Sequence, residues 1–168
     1  MSRGGVFMNC LFAAWRMDYI VAPKHDGCFF CDYPGENRDE EHYILHRGKA
    51  CFVILNIYPY NPGHMMVVPY RHTNLYELLT DDEYSDMNLL TARAVRVLKR
   101  VMAPDGFNMG MNLGKIAGAG VAEHLHMHVV PRWNGDNNFM PVLADTRVVP
   151  EAMEATYRKL KAAWPETP

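Results

Sequence analysis

Three histidines alternate in Glu123-His124-Leu125-His126-Met127-His128-Val129-Val130. In an extended chain, residues two apart project from one face. His124, His126 and His128 therefore line one side, while Leu125, Met127 and Val129 face a core on the other. Neighbouring positions lie roughly 7 Å apart and the outer two roughly 13 Å. One ion does not easily reach all three, although a pair such as His126 and His128 can share one. The other chemistry open to them is nucleophilic: neutral imidazole exists at pH 7, and its attack on phosphorus gives a labile phosphoramidate.

Two further groups lie within reach of such chemistry. The stretch GKIAGAG (114–120) precedes the histidines, and its Gly114, Gly118 and Gly120 allow close backbone approach with amides aimed at an anion such as phosphate. Lys115 in that loop reads either as a phosphate contact or as an exposed lysine. The second group is Cys28-Phe29-Phe30-Cys31. The chain holds four cysteines, Cys10, Cys28, Cys31 and Cys51, but its 168 residues exceed a typical disulfide scaffold. The two-residue gap suits metal binding or thiol redox chemistry, in a reducing, cytoplasmic setting.

Elements must position these residues. Residues 1–40 read as irregular, and NRDEEH (37–42) as a solvated turn. The segments YILHRG, CFVILN (51–56) and MMVVPY (65–70) are rich in β-branched and aromatic side chains and read as strands, with YPYNPGH (58–64) a loop between the last two. Thr80 and Glu83 form a capping box that opens a helix, and Met87, Leu90, Ala94, Val97 or Leu98, and Val101 carry its apolar stripe to about residue 102. FNMGMNL (107–113) and HLHMHVVP (124–131) read as strands. Residues 151–164 read as an amphipathic helix with Met153, Tyr157, Leu160 and Trp164 on one face. Short strands with one long helix and tight turns predict an α+β fold with a mostly antiparallel sheet.

The length suits one domain over 1–168, large enough to bury a core unaided. With 17 basic and 19 acidic residues the net charge is −2, which makes no electrostatic case for nucleic acid or a membrane surface. VFMNCLFAAW (6–15) is short, contains Asn9, and runs into Arg16 and Asp18, so it is not read as a signal peptide; Met8 is a candidate start. No run approaches the ~18 apolar residues of a spanning helix.

The chain resembles the histidine triad (HIT) family of nucleotide hydrolases and transferases. HLHMHVV (124–130) matches the family's alternating histidines. ILNIYPYNPGHMMVVPYRH (54–72) is similar to its first conserved block, and FNMGMNLG (107–114) to its penultimate strand. LFAAWRMDYI (11–20), CFFC (28–31) and PRWNGDNNFMP (131–141) resemble the bacterial branch related to diadenosine tetraphosphate phosphorylases and Fhit-type dinucleoside polyphosphate hydrolases.

The resemblance implies a HIT fold and a homodimer. It also implies a covalent mechanism in which His126 attacks an α-phosphate, His128 binds phosphate and leaving-group oxygens, and His64 supports them from an adjacent strand. A nucleotidyl-histidine forms, and water or inorganic phosphate releases it. Asn56 would meet the ribose. Asn112 would contact phosphate or simply end its strand. Trp133 would stack on a base or pack at a subunit interface. Many family members carry Gln followed by Ser or Thr before the triad, where this chain has Gly120-Val121; the amides of Gly118, Ala119 and Gly120 would then have to substitute. In zinc-containing members, positions matching Cys28, Cys31, His72 and His124 hold one structural zinc, which would tie an N-terminal extension of about 8–40, carrying the two cysteines, to the sheet; a C-terminal extension would cover about 133–168. A nucleotide-binding sensor with little turnover, or a purely metal-binding protein, is the alternative class.

Overall fold

The continuous apolar runs of residues 51–55 and 65–69 end up fully buried because both faces of their sheet are covered. The computed structural model describes residues 27–136 and 151–164, which fall within one compact unit. Five antiparallel strands, β1 (Ile44–Arg47), β2 (Cys51–Leu55), β3 (Met65–Pro69), β4 (Gly106–Gly110) and β5 (Met127–Arg132), stand in the order β1-β2-β3-β5-β4. Helix α1 (Phe29–Glu36) precedes them, α2 (Asp81–Met102) links β3 to β4, and α3 (Met153–Ala163) follows. The α+β, HIT-type expectation of a mostly antiparallel sheet with a long helix and a C-terminal helix holds.

Alternation divides the strands between two cores. Cys51, Val53 and Leu55 of β2, with Met65 and Val67 of β3 and Val129 of β5, meet the buried stripe Met87, Leu90, Ala94, Val97 and Leu98 of α2 and Tyr157, Leu160 and Trp164 beside α3. Phe52, Ile54, Met66 and Val68 point the other way and pack with Phe30 of α1 and Ile44. The second face is the one that carries the histidines.

Helix α2 begins as its sequence demands. Thr80 Oγ1 accepts from the Glu83 amide at 3.2 Å, and the Thr80 amide donates to Glu83 Oε2 at 2.8 Å. Arg71, just after β3, donates to both oxygens of Glu83. That ion pair, more than burial opposes it, holds the Glu83 carboxyl down at about 2.

Three expectations need correction. Residues 29–36 are helical rather than irregular, even with Pro34 inside. The strand read over 124–131 starts only at Met127 and continues through Pro131 to Arg132. The strand read over 107–113 ends at Gly110, and the glycine-rich loop contains a 3₁₀ turn at Lys115–Ala117. The helix was masked by its proline and its absent apolar period; ahead of the strand, the His124 amide bonds Val121 O and its carbonyl takes the His126 ring N–H, so neither group joins the ladder.

Candidate functional site

The site is assembled where β3 and β5 run side by side. Register pairs Met66 with His128 and Met65 with Val129. His64, one residue ahead of β3, therefore sits diagonally from His128 on the same face. On the other side of His128 the partner is Gly110 of β4, which has open space where a side chain would stand. Although His124 and His126 precede the strand proper, the alternation survives: Leu125 is buried in the α2-side core, and Met127 packs against it. His64, His124 and His126 are all buried, at 0%, 1% and 5% exposure.

Hydrogen bonds assign each imidazole a proton position. A carbonyl can only accept, so the 2.9 Å contact of His126 Nδ1 with the His124 carbonyl is an N–H donation. The lone pair of His126 is left on Nε2. The same reasoning applies to His124, whose Nε2–H donates to the Pro69 carbonyl at 2.9 Å, leaving Nδ1 as a ligand atom. His64 Nδ1 accepts the Tyr60 amide at 3.1 Å, so its Nε2–H donates to His128 Nδ1 at 2.9 Å. Neutral His128 then carries its proton on Nε2, facing away from His64. His126, His128 and His124 thus present an unprotonated Nε2, an Nε2–H donor and an unprotonated Nδ1 facing the thiols, from three residues of one type.

Burial keeps these rings neutral. Desolvation lowers His126 below the usual imidazole range, opposed by its bond to the His124 carbonyl. Desolvation, helped by His126, pushes His128 down to about 4. His124 is likewise lowered to about 4, by burial first.

The other expected residues fall at varied distances from this core. Asn56 is half-buried, with Oδ1 accepting the Tyr58 amide at 2.9 Å and Nδ2 3.4 Å from His64 Nδ1. Asn112 Nδ2 makes a long 3.5 Å contact with the Gly118 carbonyl. Gly118 adopts φ +90°, but its amide donates to Lys115 O at 3.0 Å and that of Ala119 to Gly114 O at 3.3 Å. Those two amides close their own turn, so the expected phosphate cradle is not formed by them in this conformation. Gly120 lies in the same loop, and Lys115 is exposed. Trp133 is half-buried, its indole N–H donating to Met102 O at 3.3 Å at the end of α2.

Cys28, Cys31, His72 and His124 come together although they span nearly a hundred positions, with their donor atoms all within 4.8 Å of one another. Cys28 Sγ is 3.2 Å and Cys31 Sγ 3.6 Å from His124 Nδ1, and Cys31 Sγ is 3.4 Å from His72 Nδ1. A tetrahedral ion with ligand bonds of about 2.0–2.3 Å needs donor separations of about 3.3–3.8 Å. Three of the separations are close to that range and the widest is within 4.8 Å, so the four donors could close around one ion after a small inward shift. Without a cation, burial and Cys28 push the Cys31 thiol up to about 11; a bound cation removes that penalty.

Sequence reading missed three contributors. Phe30 packs against the rings of both His124 and His126. Tyr60 lies beside His64 and His128, its ring centroids 4.8 and 5.9 Å from theirs. Asp136 accepts from Arg132, Asn61 and the Trp133 amide, tying the NPGH loop to the end of β5. The bulky residue between the two cysteines was a visible signal for Phe30; nothing local marked the other two.

An alternating-histidine face with a buried, unprotonated imidazole nitrogen, on a five-stranded antiparallel sheet, has the pattern of a histidine triad site. The HIT domain model matches residues 37–135, and the chain belongs to the HIT family. The AP-4-A phosphorylase of Mycobacterium tuberculosis is 49% identical over 167 residues, covering 94% of this chain and 85% of that protein. The asymmetrical bis(5'-nucleosyl)-tetraphosphatase of Schizosaccharomyces pombe is 30% identical over 93 residues, 55% of this chain and 50% of its own. Among solved structures, a Zn-bound histidine triad family protein from Mycobacterium smegmatis superposes with a TM-score of 0.67 at 29% identity, covering 83% of this chain and 94% of that one.

Proposed function

We propose that the protein cleaves dinucleoside polyphosphates such as diadenosine tetraphosphate by nucleotidyl transfer through His126, with inorganic phosphate as the acceptor. It is a HIT-family enzyme, a nucleotide hydrolase or phosphorylase. The observation that carries the reading is the 2.9 Å bond from His126 Nδ1 to the His124 carbonyl, which leaves the lone pair on Nε2. His126 Nε2 attacks the α-phosphorus, the N–P bond forms, and the P–O bond to the leaving polyphosphate breaks. The Nε2–H of His128 hydrogen-bonds the departing bridging oxygen, which is stable as an anion at neutral pH. The Nδ1–H of His126, still on the His124 carbonyl, supports the imidazolium of the nucleotidyl-histidine. An oxygen of phosphate then attacks phosphorus, the N–P bond breaks, and the lone pair returns to Nε2.

His64 orients His128 in this scheme. Asn56, Asn112, Gly118, Ala119, Gly120 and Trp133 are the nucleotide-binding candidates. The phosphate acceptor is supported by the near full-length likeness to the M. tuberculosis enzyme; the tetraphosphatase likeness, over half the chain, supports water. Zinc is the proposed occupant of Cys28, Cys31, His72 and His124, on the donor set and the Zn-bound relative. A closed site of this kind supplies structure and no open Lewis-acid position. A homodimer is proposed too, supported by the edge position of β4 and the half-exposed Met109 on it, as are a single domain over 1–168 and a reducing, cytoplasmic setting that keeps the thiols as ligands. No described helix is long and apolar enough to cross a membrane.

The test is product analysis of diadenosine tetraphosphate incubated with pure protein, with and without phosphate. ADP plus ATP only with phosphate supports the phosphorylase. AMP plus ATP in phosphate-free buffer makes it a hydrolase. Nucleotide-dependent thermal stabilisation without product makes it a sensor.

A further inference from the structure

Phe30 occupies the gap between Cys28 and Cys31 and is 1% exposed. Its ring centroid lies 5.3 Å from that of His126, tilted by 43°, and 5.4 Å from that of His124, edge-on at 69°. His128 stands 4.7 Å from His126 at 79°. The His126 imidazole is therefore held by one hydrogen bond at Nδ1 and by two ring neighbours. His128 comes from the same strand segment as His126. Phe30 comes from α1, outside the sheet.

Helix α1 has limited means of its own to hold that place. It has 8 residues, no side-chain cap at Cys28 and a proline inside, well below the length at which an isolated helix is stable. Its first turn is instead fastened at both cysteines, whose sulfurs face His72 and His124. Ligands Cys28 and Cys31 flank Phe30 directly, and the ligand His124 also supplies the carbonyl that orients His126.

We infer that Phe30 is a positioning residue for His126, and that metal occupancy at Cys28, Cys31, His72 and His124 sets the nucleophile by holding Phe30 against its ring. This rests on the reading of His126 as nucleophile and of the Cys₂His₂ group as a metal centre. Remove the phenyl ring and the imidazole gains freedom to rotate about χ2. Its Nδ1–H then leaves the His124 carbonyl part of the time, and the Nε2 lone pair is no longer always aimed outward. Contacts that bind the rest of the nucleotide are untouched, so the loss falls on kcat rather than KM.

The experiment compares zinc-loaded wild type with Phe30→Leu, reading zinc content, kcat and KM on diadenosine tetraphosphate, and the side-chain ¹⁵N–¹H correlations of His126. The expected result is unchanged zinc and KM, kcat lower by about tenfold to a hundredfold, and a single Nδ1–H tautomer in wild type giving way to a mixture in the variant. Chelating zinc from wild type should produce the same mixture, and chelating it from Phe30→Leu should add little. A Phe30→Leu protein with wild-type kcat and one tautomer overturns the inference, as does chelated wild type that keeps one tautomer. A variant that loses zinc in step with kcat makes Phe30 part of the metal scaffold and overturns it too. Should Phe30→Leu fail to fold, Phe30→Met is read in its place with the same measurements, because chelation alone also frees His124, whose carbonyl holds His126. Absence of any cleavage by wild type would count against the proposed function, while the tautomer readout in the resting protein still decides the role of Phe30.

Discussion

His126 is buried at 5% exposure, and with Nδ1 spent on a backbone carbonyl its lone pair lies on Nε2, the atom proposed to attack phosphorus. In the proposed mechanism, replacing it removes the group that forms the covalent bond. His126→Ala is expected to lower turnover by more than ~10³-fold while nucleotide still raises the thermal midpoint; near wild-type turnover would defeat covalent catalysis at this residue. His128 gives a pH prediction. Burial, then His126, holds it at about 4 against 6.5 in an unfolded chain. Between those values the unfolded state binds a proton that the folded state does not, so stability present above pH 6.5 is lost as pH falls towards 4. Thermal midpoints measured across that window should decline, and His128→Gln should flatten part of the decline. The triad itself was legible from residue types and spacing. The tautomers were not, because they depend on how the chain folds around each ring: His124 meets the Pro69 carbonyl and His128 meets His64 from distant segments, while His126 and His64 meet nearby backbone groups only in this local conformation.

Elements aim these residues, and two of them can be tested by small changes. Gly63 in the NPGH loop has φ +78°, and a Cβ there would stand 2.7 Å from Met102 Sδ and 3.0 Å from Leu98 Cδ2. Gly63→Ala thus combines backbone strain with a clash against α2, at a cost of about 1–2 kcal/mol for the left-handed conformation alone. Because His64 follows directly, kcat should fall with the denaturation midpoint, a paired loss that a purely structural loop would not give. At the start of α2, Thr80→Ala removes the acceptor for the Glu83 amide and should cost about 1 kcal/mol in urea melts, leaving kcat unaltered. The cap and stripe of α2 were readable because local chemistry alone sets them: the expected end at about 102 agrees with Met102. Helix α1 was not readable. Its apolar residues Phe29 and Phe30 show no helical period, and it is held by partners rather than by its own propensity.

At the scale of the whole molecule, the sheet separates two cores and the metal-ligand group bridges one of them to the chain's N-terminal side. The α2 face is a plain packing core. The opposite core, around Phe30, Phe52 and Met66, is smaller and lies under the site. The Cys₂His₂ group ties α1 and His72 to the triad segment, a constraint acting across distant parts of the sequence. Zinc binding that requires the folded arrangement stabilises it by linkage. Chelation is therefore expected to lower the thermal midpoint by more than about 5 °C, with recovery on adding zinc; a midpoint indifferent to chelator in a protein that had contained stoichiometric zinc would show that the group carries no fold stability.

The sequence by itself determined which chemistry was on offer. Alternating histidines, a two-residue cysteine gap, a glycine-rich loop and a capped amphipathic helix are local patterns, and local sterics and hydrogen bonding decide them. Tertiary structure alone decided how the chemistry is divided. Pairing β3 with β5 set His64 against His128. The return of the chain past Pro69 turned His124 towards the thiols. Each outcome depends on which distant group reaches a given nitrogen first, and contacts of that kind are fixed by packing between segments rather than by the residues within one.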